Sequence, residues 1–302
     1  MDLRPVEEVR GHKRGVSNLK EAIKKSDVLI EALPYIRKFF EKVIVIKYGG
    51  SAVDERGMDR AILEDIMFMN YAGMNPVVVH GGGPLISKMM RKAELEPKFI
   101  NGRRVTDTHT IHIIDRALHA INKKIVGTLR EMGAKAFGLS GKENNLIRVK
   151  KMAVDYDLGF VGEVTSVDTT VIRRLLEDNI IPVVYPLGVG RDGNIYNVNA
   201  DDVASELAIA LNAEKFVLLT NVRGIMRNKR SVKTLYNTLN ISRIGGLINR
   251  SVIDSGMIPK ALACVNAIRG GVKKAHILDA SIPHALLLEI FTDKGIGTEI
   301  VK

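Results

Sequence analysis

Cysteine is almost absent from this chain of 302 residues, and Cys264 is the single one. One thiol cannot form a disulfide within the chain, and alone it cannot build a cysteine-based zinc site. Disulfide-stabilised and cysteine-zinc folds are therefore excluded. A chain that uses no disulfide fits the reducing cytoplasm, where we expect it to be located.

Long hydrophobic runs are also missing. The longest stretch without a charge, 66–87, contains Asn70, Asn75, Pro76 and several glycines, so it cannot lie in a bilayer as one span. Residues 1–15 lack the apolar core of a signal peptide. We therefore expect a soluble protein that has no membrane as a partner.

Motifs that define several common enzyme classes are missing as well. No GxxxxGK[ST] segment is present, which argues against a P-loop site, and neither is an HExxH or EF-hand motif for a metal. The segment GVGRDG at 188–193 matches GxGxxG after an apolar strand. A dinucleotide-binding fingerprint needs a helix immediately after these glycines, but NIYNVNA follows. We interpret this match as accidental, and we predict no metal-ligating residues.

Short β-branched runs alternate with amphipathic helical patterns from Glu41 onward. This alternation predicts an α/β fold with a mainly parallel sheet covered on both faces. With 46% apolar residues, the chain can bury a sizeable core. The predicted strands are 43–46, 77–79, 137–139, 180–185, 215–220 and 275–278, and the predicted helices are 57–72, 84–93, 108–131, 168–178, 201–212 and 257–269. Residues 146–165 predict a hairpin that projects from the sheet.

The first 40 residues stand apart from this alternation. From residue 18 to residue 40 they form one apolar helical stripe, in which Pro34 should cause a kink. A long helix of this kind outside the alternating core needs a partner surface. We interpret it as an assembly element, the alternative being that it packs on its own domain. The apolar residues of the stripe are Leu19, Ile23, Ile30, Leu33, Ile36 and Phe40.

Positive charge is in excess, with a formal net charge of +11. Residues 223–250 carry seven basic residues and no acidic one. Such a run is either a solvated surface face or a basic neighbourhood for a polyanionic ligand such as a nucleotide. Tyr236 is the one aromatic residue in the run. Because bases would find little to stack on, we do not expect nucleic acid as a partner.

Three segments place glycines directly after a predicted strand and before a helix. Backbone N–H groups at such a strand end can approach an anion, and the following helix N-terminus favours negative charge. One such loop is weak evidence, because tight turns also need glycine. Three loops together indicate a site for a highly anionic ligand. Their residues are Lys47, Gly49 and Gly50; Gly81, Gly82 and Gly83; and Thr220, Asn221 and Gly224.

Five longer motifs occur in a fixed order, namely KYGGSA, VVVHGGGP, NGRRVTD, YNVNAD and GMIPK. In this order and spacing they resemble the amino-acid kinase family, over roughly residues 27–302. Within the family, ALPYIRKFF at 32–40 and PHALLLEIFTDKGIGTEI at 283–300 resemble the arginine-inhibited branch. The resemblance implies a three-layer αβα sandwich with a mainly parallel central sheet, preceded by the kinked N-terminal helix. It also implies three units: an oligomerisation and regulatory helix (1–40), an acceptor lobe (41–195) and a lobe for ATP and the effector (196–302).

The reaction implied by the resemblance is transfer of the γ-phosphoryl group of ATP to the side-chain carboxylate of N-acetyl-L-glutamate, the second step of arginine biosynthesis. A carboxylate is already ionised at pH 7, so the reaction needs no general base. The difficulty is to bring an anion to a polyphosphate and to stabilise charge on the transferred group. Mg²⁺ is expected to arrive with ATP, held mainly by phosphates and water.

The resemblance assigns roles to residues by their position in the motifs. Lys47 and Lys260 match two catalytic lysines that approach the phosphoryl group from opposite lobes, and Asp201 matches the carboxylate that holds both. Arg104 matches an arginine that clamps an acceptor carboxylate, a bidentate task, whereas its neighbour Arg103 is expected to have no specific role. The other acceptor-binding residues are Gly82, Gly83 and Asn197, with the 146–165 hairpin as a lid; the ATP-binding residues are Gly49, Gly50, Thr220, Asn221, Gly224 and Met257.

The same resemblance implies inhibition by L-arginine, bound between the N-terminal helix and the C-terminal lobe. It also implies a homo-hexamer, a trimer of dimers in which the helix around 18–40 joins the dimers. The implied arginine-binding residues are Lys215, His284, Glu289, Gly295 and Gly297.

One departure from the family pattern affects the ATP lobe. Asn221 stands where the family usually has aspartate, and with the basic run it makes this lobe unusually cationic. The alternatives to an active, arginine-regulated kinase are therefore a related kinase for another acidic acceptor such as acetyl-aminoadipate, an arginine-sensing oligomer with weak kinase activity, or a basic nucleic-acid-binding protein on an inherited kinase fold.

Overall fold

A computed structural model describes residues 8–49, 59–228, 231–292 and 295–302. Its strands are β1 (Val43–Tyr48), β2 (Asn75–His80), β3 (Phe99–Ile100), β4 (Arg103–Arg104), β5 (Ala136–Ser140), β6 (Ile147–Lys151), β7 (Gly162–Val167), β8 (Ile181–Tyr185), β9 (Leu187–Gly190), β10 (Ile195–Asn197), β11 (Lys215–Thr220), β12 (Thr238–Asn240), β13 (Lys274–Asp279) and β14 (Thr298–Val301). Its helices are α1 (Glu8–Phe39), α2 (Arg60–Tyr71), α3 (Gly83–Lys92), α4 (Thr108–Glu131), α5 (Thr170–Glu177), α6 (Ala200–Ala210), α7 (Ile241–Asn249), α8 (Ile258–Arg269) and α9 (Ala285–Ile290).

The central sheet has eight strands in the order β12-β14-β13-β11-β1-β2-β8-β5. Neighbouring strands are parallel except β13 and β14, so β12 and β14 run opposite to the other six. The six strands predicted from the sequence correspond to β1, β2, β5, β8, β11 and β13. The predicted fold class, a mainly parallel α/β sheet, is confirmed.

Alternate residues of the central strands face two separate hydrophobic clusters. On β1, Ile44, Ile46 and Tyr48 pack on one face with residues of α2, α4 and α9. Val45 packs on the other face with residues of α5, α6 and α8. This alternation follows from the two-residue period of a strand. It gives three layers, and it directs Lys47 toward the α6 and α8 side of the sheet.

The predicted hairpin at 146–165 is confirmed as the antiparallel pair β6 and β7. It belongs to a second sheet of four strands, in the order β10-β9-β6-β7. The GxGxxG match at 188–193 lies in the antiparallel pair β9 and β10, with Gly193 at positive φ in the turn between them. Because α6 begins only at Ala200, the interpretation of this match as accidental is also confirmed.

Helix α1 contains Pro34 and continues to Phe39, where Phe39 is buried against the central sheet. In the described part of the chain the helix extends back to Glu8, ten residues before the start that the apolar stripe indicates. Leu19, Ile23 and Leu33 of the stripe are 61%, 49% and 48% exposed. The single chain therefore leaves the stripe uncovered. Among the described helices, none is both long and apolar enough to cross a membrane.

Candidate active site

Asp201 forms two ion pairs with lysines from different parts of the chain. Its Oδ1 lies 2.7 Å from Lys47 Nζ, and its Oδ2 lies 3.0 Å from Lys260 Nζ. Lys47 comes from β1, Lys260 from the first turn of α8, and Asp201 from the first turn of α6. The side chain of Asn199 caps α6 by accepting a hydrogen bond from the Asp201 N–H at 2.7 Å, as expected for an N-cap asparagine.

Burial and charge act in opposite directions on this cluster. Burial would raise the pKa of Asp201, but the charges of Lys47 and Lys260 hold that pKa below its ordinary value. Burial lowers the pKa of Lys47, Asp201 opposes this shift, and Lys260 adds to it. The carboxylate of Asp201 thus favours the charged form of the buried Lys47. Gly49 is required beside them, because a Cβ there would lie 1.9 Å from Lys47 Nζ.

A cavity of about 240 Å³ opens beside this cluster. Its wall brings together Lys47, Asp201 and Lys260 with all four residues predicted to bind the acceptor, which are Gly82, Gly83, Arg104 and Asn197. The wall also contains Arg103. We refer to this space as the acceptor cavity.

The glycine loop after β2 forms one side of the acceptor cavity. Gly82 is the N-cap of α3 and Gly83 its first residue, and the first N–H groups of a helix have no partner within the helix. A Cβ on Gly82 would lie within 3 Å of the side-chain ends of both Ile121 and Leu118, so a side chain there would displace these two buried residues. These backbone N–H groups at the start of α3 are of the kind that bind anions.

Arg104 is held firmly in the cavity wall. Its Nη2 donates to Ser87 Oγ at 2.8 Å and to the Gly83 carbonyl at 3.2 Å, and its guanidinium lies 4.5 Å from the Phe99 ring centroid. Burial, with a smaller contribution from Arg91, lowers its pKa to about 10, so it stays cationic at neutral pH. On the other side of the cavity, Asn197 Nδ2 donates to Thr106 Oγ1 at 3.3 Å.

A buried histidine supports the glycine loop from behind, as expected for His80, whose place after the strand run VVV indicates a loop hydrogen bond rather than a metal ligand. His80 Nδ1 lies 2.9 Å from the Gly81 carbonyl, so it acts as the donor, and Nε2 lies 3.2 Å from Asn122 Nδ2. Asn122 in turn donates to the Val183 carbonyl. Burial lowers the pKa of His80 to about 4. The ring is therefore neutral and fixed in one tautomer.

A second cavity, of about 300 Å³, lies on the other side of Lys260. It is lined by three of the residues predicted to bind ATP, Asn221, Gly224 and Met257. Thr220 does not line it; its hydroxyl instead fixes the loop by bonding the carbonyl and the N–H of Val222. Gly50 lies outside the described residues. Since Lys260 lines both cavities, it marks the point where they meet.

Residues 224–226 of the basic run line the second cavity, but none of the described basic side chains of the run does. Arg223 Nε is 3.5 Å from Asp279 Oδ2, and the Arg243 guanidinium is 5.9 Å from the Tyr236 ring centroid. No group of three or more His, Cys, Asp or Glu residues in the described part of the chain is arranged to hold a metal ion.

A third cavity, of about 620 Å³, lies between the end of α1 and the C-terminal lobe. The structure brings Lys215, Glu289 and Gly295 together in its wall, with Tyr35 and Phe39 from α1. A Cβ on Gly295 would lie 3.0 Å from Glu289 Oε1. Gly297 packs instead against the Ile277 carbonyl. We refer to this space as the effector cavity.

His284 is not in the wall of the effector cavity. It has a left-handed backbone, with φ of +57°, and its Nδ1 points to Asp65 Oδ1 of α2 at 2.7 Å. His276 lies in the wall instead, with Nδ1 2.8 Å from Glu289 Oε1. The clue in the sequence was the alternation of β13, which puts His276 on the same sheet face as Leu278 and the buried side of α9.

The fold and these cavities define a class of enzyme. Residues 42–279 match the amino acid kinase family, and the chain belongs to that family. The acetylglutamate kinase of Petrotoga mobilis is 48% identical over 288 residues, which are 95% of this chain and 96% of the relative. That of Desulforamulus reducens is 47% identical over 281 residues, 92% of this chain and 98% of the relative. This chain is likewise a phosphotransferase with a carboxyl group as acceptor.

The solved structures include a relative with a bound amino-acid ligand. N-acetylglutamate synthase of Neisseria gonorrhoeae, complexed with coenzyme A and N-acetyl-glutamate, matches with a TM-score of 0.81 and 25% identity. The match covers 92% of this chain and 63% of that one. The kinase-like fold therefore extends over almost all of this chain.

Proposed function

We propose that the protein phosphorylates the side-chain carboxylate of N-acetyl-L-glutamate with MgATP, in the arginine pathway of the cytoplasm. The observation that carries the proposal is the position of Asp201. Its carboxylate pairs with Lys47 in the acceptor cavity and with Lys260, which lines both that cavity and the second one. The names of the relatives that match nearly the whole chain support the choice of acceptor.

The reaction requires two anions to meet, and the site supplies cations where they do. Arg104 and the first N–H groups of α3 bind the acceptor, whose reacting carboxylate needs no general base. Lys47 and Lys260 stabilise the charge that spreads over the transferred phosphoryl group. Both oxygens of Asp201 pair with lysines, so this carboxylate is not free for a metal. That agrees with Mg²⁺ held mainly by phosphates and water.

A hydroxylamine assay tests the proposal, because an acyl phosphate is trapped as a coloured hydroxamate. The acceptors to compare are N-acetyl-L-glutamate, N-acetyl-L-aminoadipate, L-glutamate and L-aspartate, each with MgATP. We expect N-acetyl-L-glutamate to have the highest kcat/KM. A higher value for another acceptor, or no hydroxamate with any of them, contradicts the proposal.

We also propose that L-arginine inhibits the enzyme from the effector cavity. Glu289 is the natural partner for a cationic guanidinium or ammonium group, and Lys215 for the effector's carboxylate. Burial would raise the pKa of Glu289, but His276 and further contacts hold it below its ordinary value, so the carboxylate is charged. Glu289→Gln should abolish inhibition and leave uninhibited turnover unchanged. His284→Asn is the matched control, because His284 lies outside the cavity. This variant should still be inhibited by arginine.

The uncovered stripe of α1 supports a homo-oligomer, which we propose to be a hexamer of three dimers joined through this helix. α1 also contributes Tyr35, Lys38 and Phe39 to the effector cavity. Assembly and inhibition should therefore be lost together. Deleting residues 1–40 should give a smaller, active oligomer that arginine no longer inhibits, as measured by light scattering and by the hydroxamate assay. A truncated protein that stays hexameric and sensitive contradicts this role of α1.

A further inference from the structure

Arg103 forms an ion pair at the edge of the acceptor cavity. Its Nη2 lies 3.1 Å from Asp202 Oδ2, and the residue contributes to the cavity wall. The pair joins β4 to the first turn of α6. Since Asp202 follows Asp201, Arg103 is anchored to the same helical turn that holds Lys47 and Lys260.

The second terminal nitrogen of Arg103 lacks an acceptor. Nη1 is buried, and no hydrogen-bond partner for it exists among the described residues. A buried cationic donor without an acceptor is unfavourable. A guanidinium offers five N–H groups in a planar fork, so one carboxylate can occupy one edge and leave another edge for a second oxygen.

The neighbouring Arg104 differs in this respect. Its Nη2 already donates to Ser87 and to the Gly83 carbonyl, and its Nη1 lies 3.1 Å from the Met90 sulfur. Arg104 therefore contacts α3, whereas Arg103 contacts α6. The two adjacent arginines thus join the cavity wall to different helices, and nothing in the sequence alone indicates a role for Arg103.

We propose that Arg103 is a second acceptor-binding arginine, positioned by Asp202, and that the accessible part of its guanidinium, which lines the acceptor cavity, donates to an oxygen of the acceptor. The inference rests on the proposed function. N-acetyl-L-glutamate offers two kinds of oxygen besides the reacting carboxylate, the α-carboxylate and the acetamido carbonyl. Either one can accept a hydrogen bond from this guanidinium, and with the α-carboxylate that bond is charge-assisted on both sides.

The test compares the wild type with Arg103→Met and Arg103→Lys. Methionine keeps an apolar stem without the charge, and lysine keeps the charge but not the fork. Arg60→Met is the matched control, because Arg60 also pairs with a carboxylate, Glu64, but is 77% exposed and outside the cavity. Steady-state constants for both substrates and the thermal unfolding midpoint are measured for each variant.

We expect Arg103→Met to raise KM for N-acetyl-L-glutamate by about tenfold or more, the usual size of a lost charge-assisted hydrogen bond. KM for ATP and the unfolding midpoint should stay near those of the wild type. The KM of Arg103→Lys for N-acetyl-L-glutamate should lie between those of the wild type and Arg103→Met. The KM of Arg60→Met should equal that of the wild type. Asp202→Asn should also raise KM for the acceptor, because Arg103 loses its anchor.

Two acceptor analogues identify the oxygen. One has a carboxamide in place of the α-carboxylate, and the other lacks the acetamido group. The wild type should discriminate against both, and Arg103→Met should lose discrimination against the analogue whose oxygen Arg103 binds.

Three outcomes overturn the inference. The first is an unchanged KM for the acceptor in Arg103→Met, and the second is an equal rise in the KM values for acceptor and ATP. The third is a loss of acceptor affinity that accompanies a lower unfolding midpoint in both Arg103→Met and Arg103→Lys. A wild type that phosphorylates none of the acceptors overturns the proposed function, and this inference with it. A wild type that turns over normally beside an unaffected Arg103→Met overturns this inference alone.

Discussion

Replacing Asp201 tests the site most directly, because one carboxylate holds two cations. In Asp201→Asn the amide keeps the side-chain shape but removes the charge that faces Lys47 Nζ at 2.7 Å and Lys260 Nζ at 3.0 Å. The side chains of Lys47 and Asp201 are only 7% and 4% exposed. Breaking a buried ion pair typically costs about 3–5 kcal/mol, because the remaining charge is left uncompensated.

The loss of this carboxylate also acts on the pKa of Lys47. Burial lowers the pKa of Lys47, Asp201 opposes that shift, and Lys260 adds to it. Without the carboxylate the pKa of Lys47 falls further, so the ammonium group becomes neutral as the pH rises through the new value. We expect kcat to fall by about 10²–10³-fold near pH 7, the usual loss for one preorganised electrostatic group. The deficit should widen as the pH rises, because a growing fraction of Lys47 is then neutral in the variant.

The hydroxylamine trap is itself pH-dependent, so coupled ADP release is the assay for this profile. Asp115→Asn is the control, because Asp115 also pairs with a lysine, Lys142, but lines neither the acceptor cavity nor the second cavity. It should leave kcat and its pH profile unchanged. An Asp201→Asn enzyme with kcat within about tenfold of the wild type and a parallel pH profile would refute the reasoning, because a loss of that size is below the expected range.

Three further predictions concern single residues. Lys47→Ala and Lys260→Ala should each lower kcat by about 10²–10³-fold and change KM much less, since both charges act chiefly on the transition state. An unchanged kcat in either variant would mean that the active site is elsewhere. Arg104→Lys should raise KM for N-acetyl-L-glutamate and leave KM for ATP unchanged, because a point charge replaces a fork on the acceptor side alone; equal changes in the two KM values would contradict separate cavities. His284→Asn should lower thermal stability more at about pH 6 than at about pH 9. The hydrogen bond to Asp65 raises the pKa of His284, so the protonated ring stabilises the fold at low pH and this contribution is lost as the pH rises through the folded-state pKa. Because His284 is half exposed, the loss of unfolding free energy is about 1 kcal/mol or less. A difference in stability that does not depend on pH would contradict this role of the protonated ring.

The central strands could be predicted from the sequence because they are buried on both faces. β1, β2, β8 and β11 read as continuous apolar runs, as expected for a covered parallel sheet. α7 was missed because Gly245 and Gly246 weaken its helical signal. β14 was missed because it has four residues, Thr298–Val301, too few for a periodic pattern.

The candidate site divides in a similar way. Glycines after strands predicted an anion site, because close approach of the backbone to an anion requires glycine and is therefore visible in the sequence. Lys47 lies next to one of these glycine pairs and was predicted with it. The proposed role of Arg103 could not be predicted in this way, because it depends on an ion pair with Asp202, a residue far along the chain. The family resemblance alone assigned His284 to the effector site. Its left-handed backbone turns the ring toward Asp65 instead, which no local pattern reveals.

The pairing of β1 with β11 affects how the chain folds. Ile44 pairs with Lys215 and Tyr48 with Leu219. One edge of β1 therefore has no partner strand until β11, which ends at Thr220, has been synthesised. Until then a very apolar strand edge is exposed, a template for aggregation. Sheets built from such distant pairings have high contact order and fold slowly. Recovery of activity during refolding should therefore lag behind the return of secondary structure, and chaperones should improve the yield.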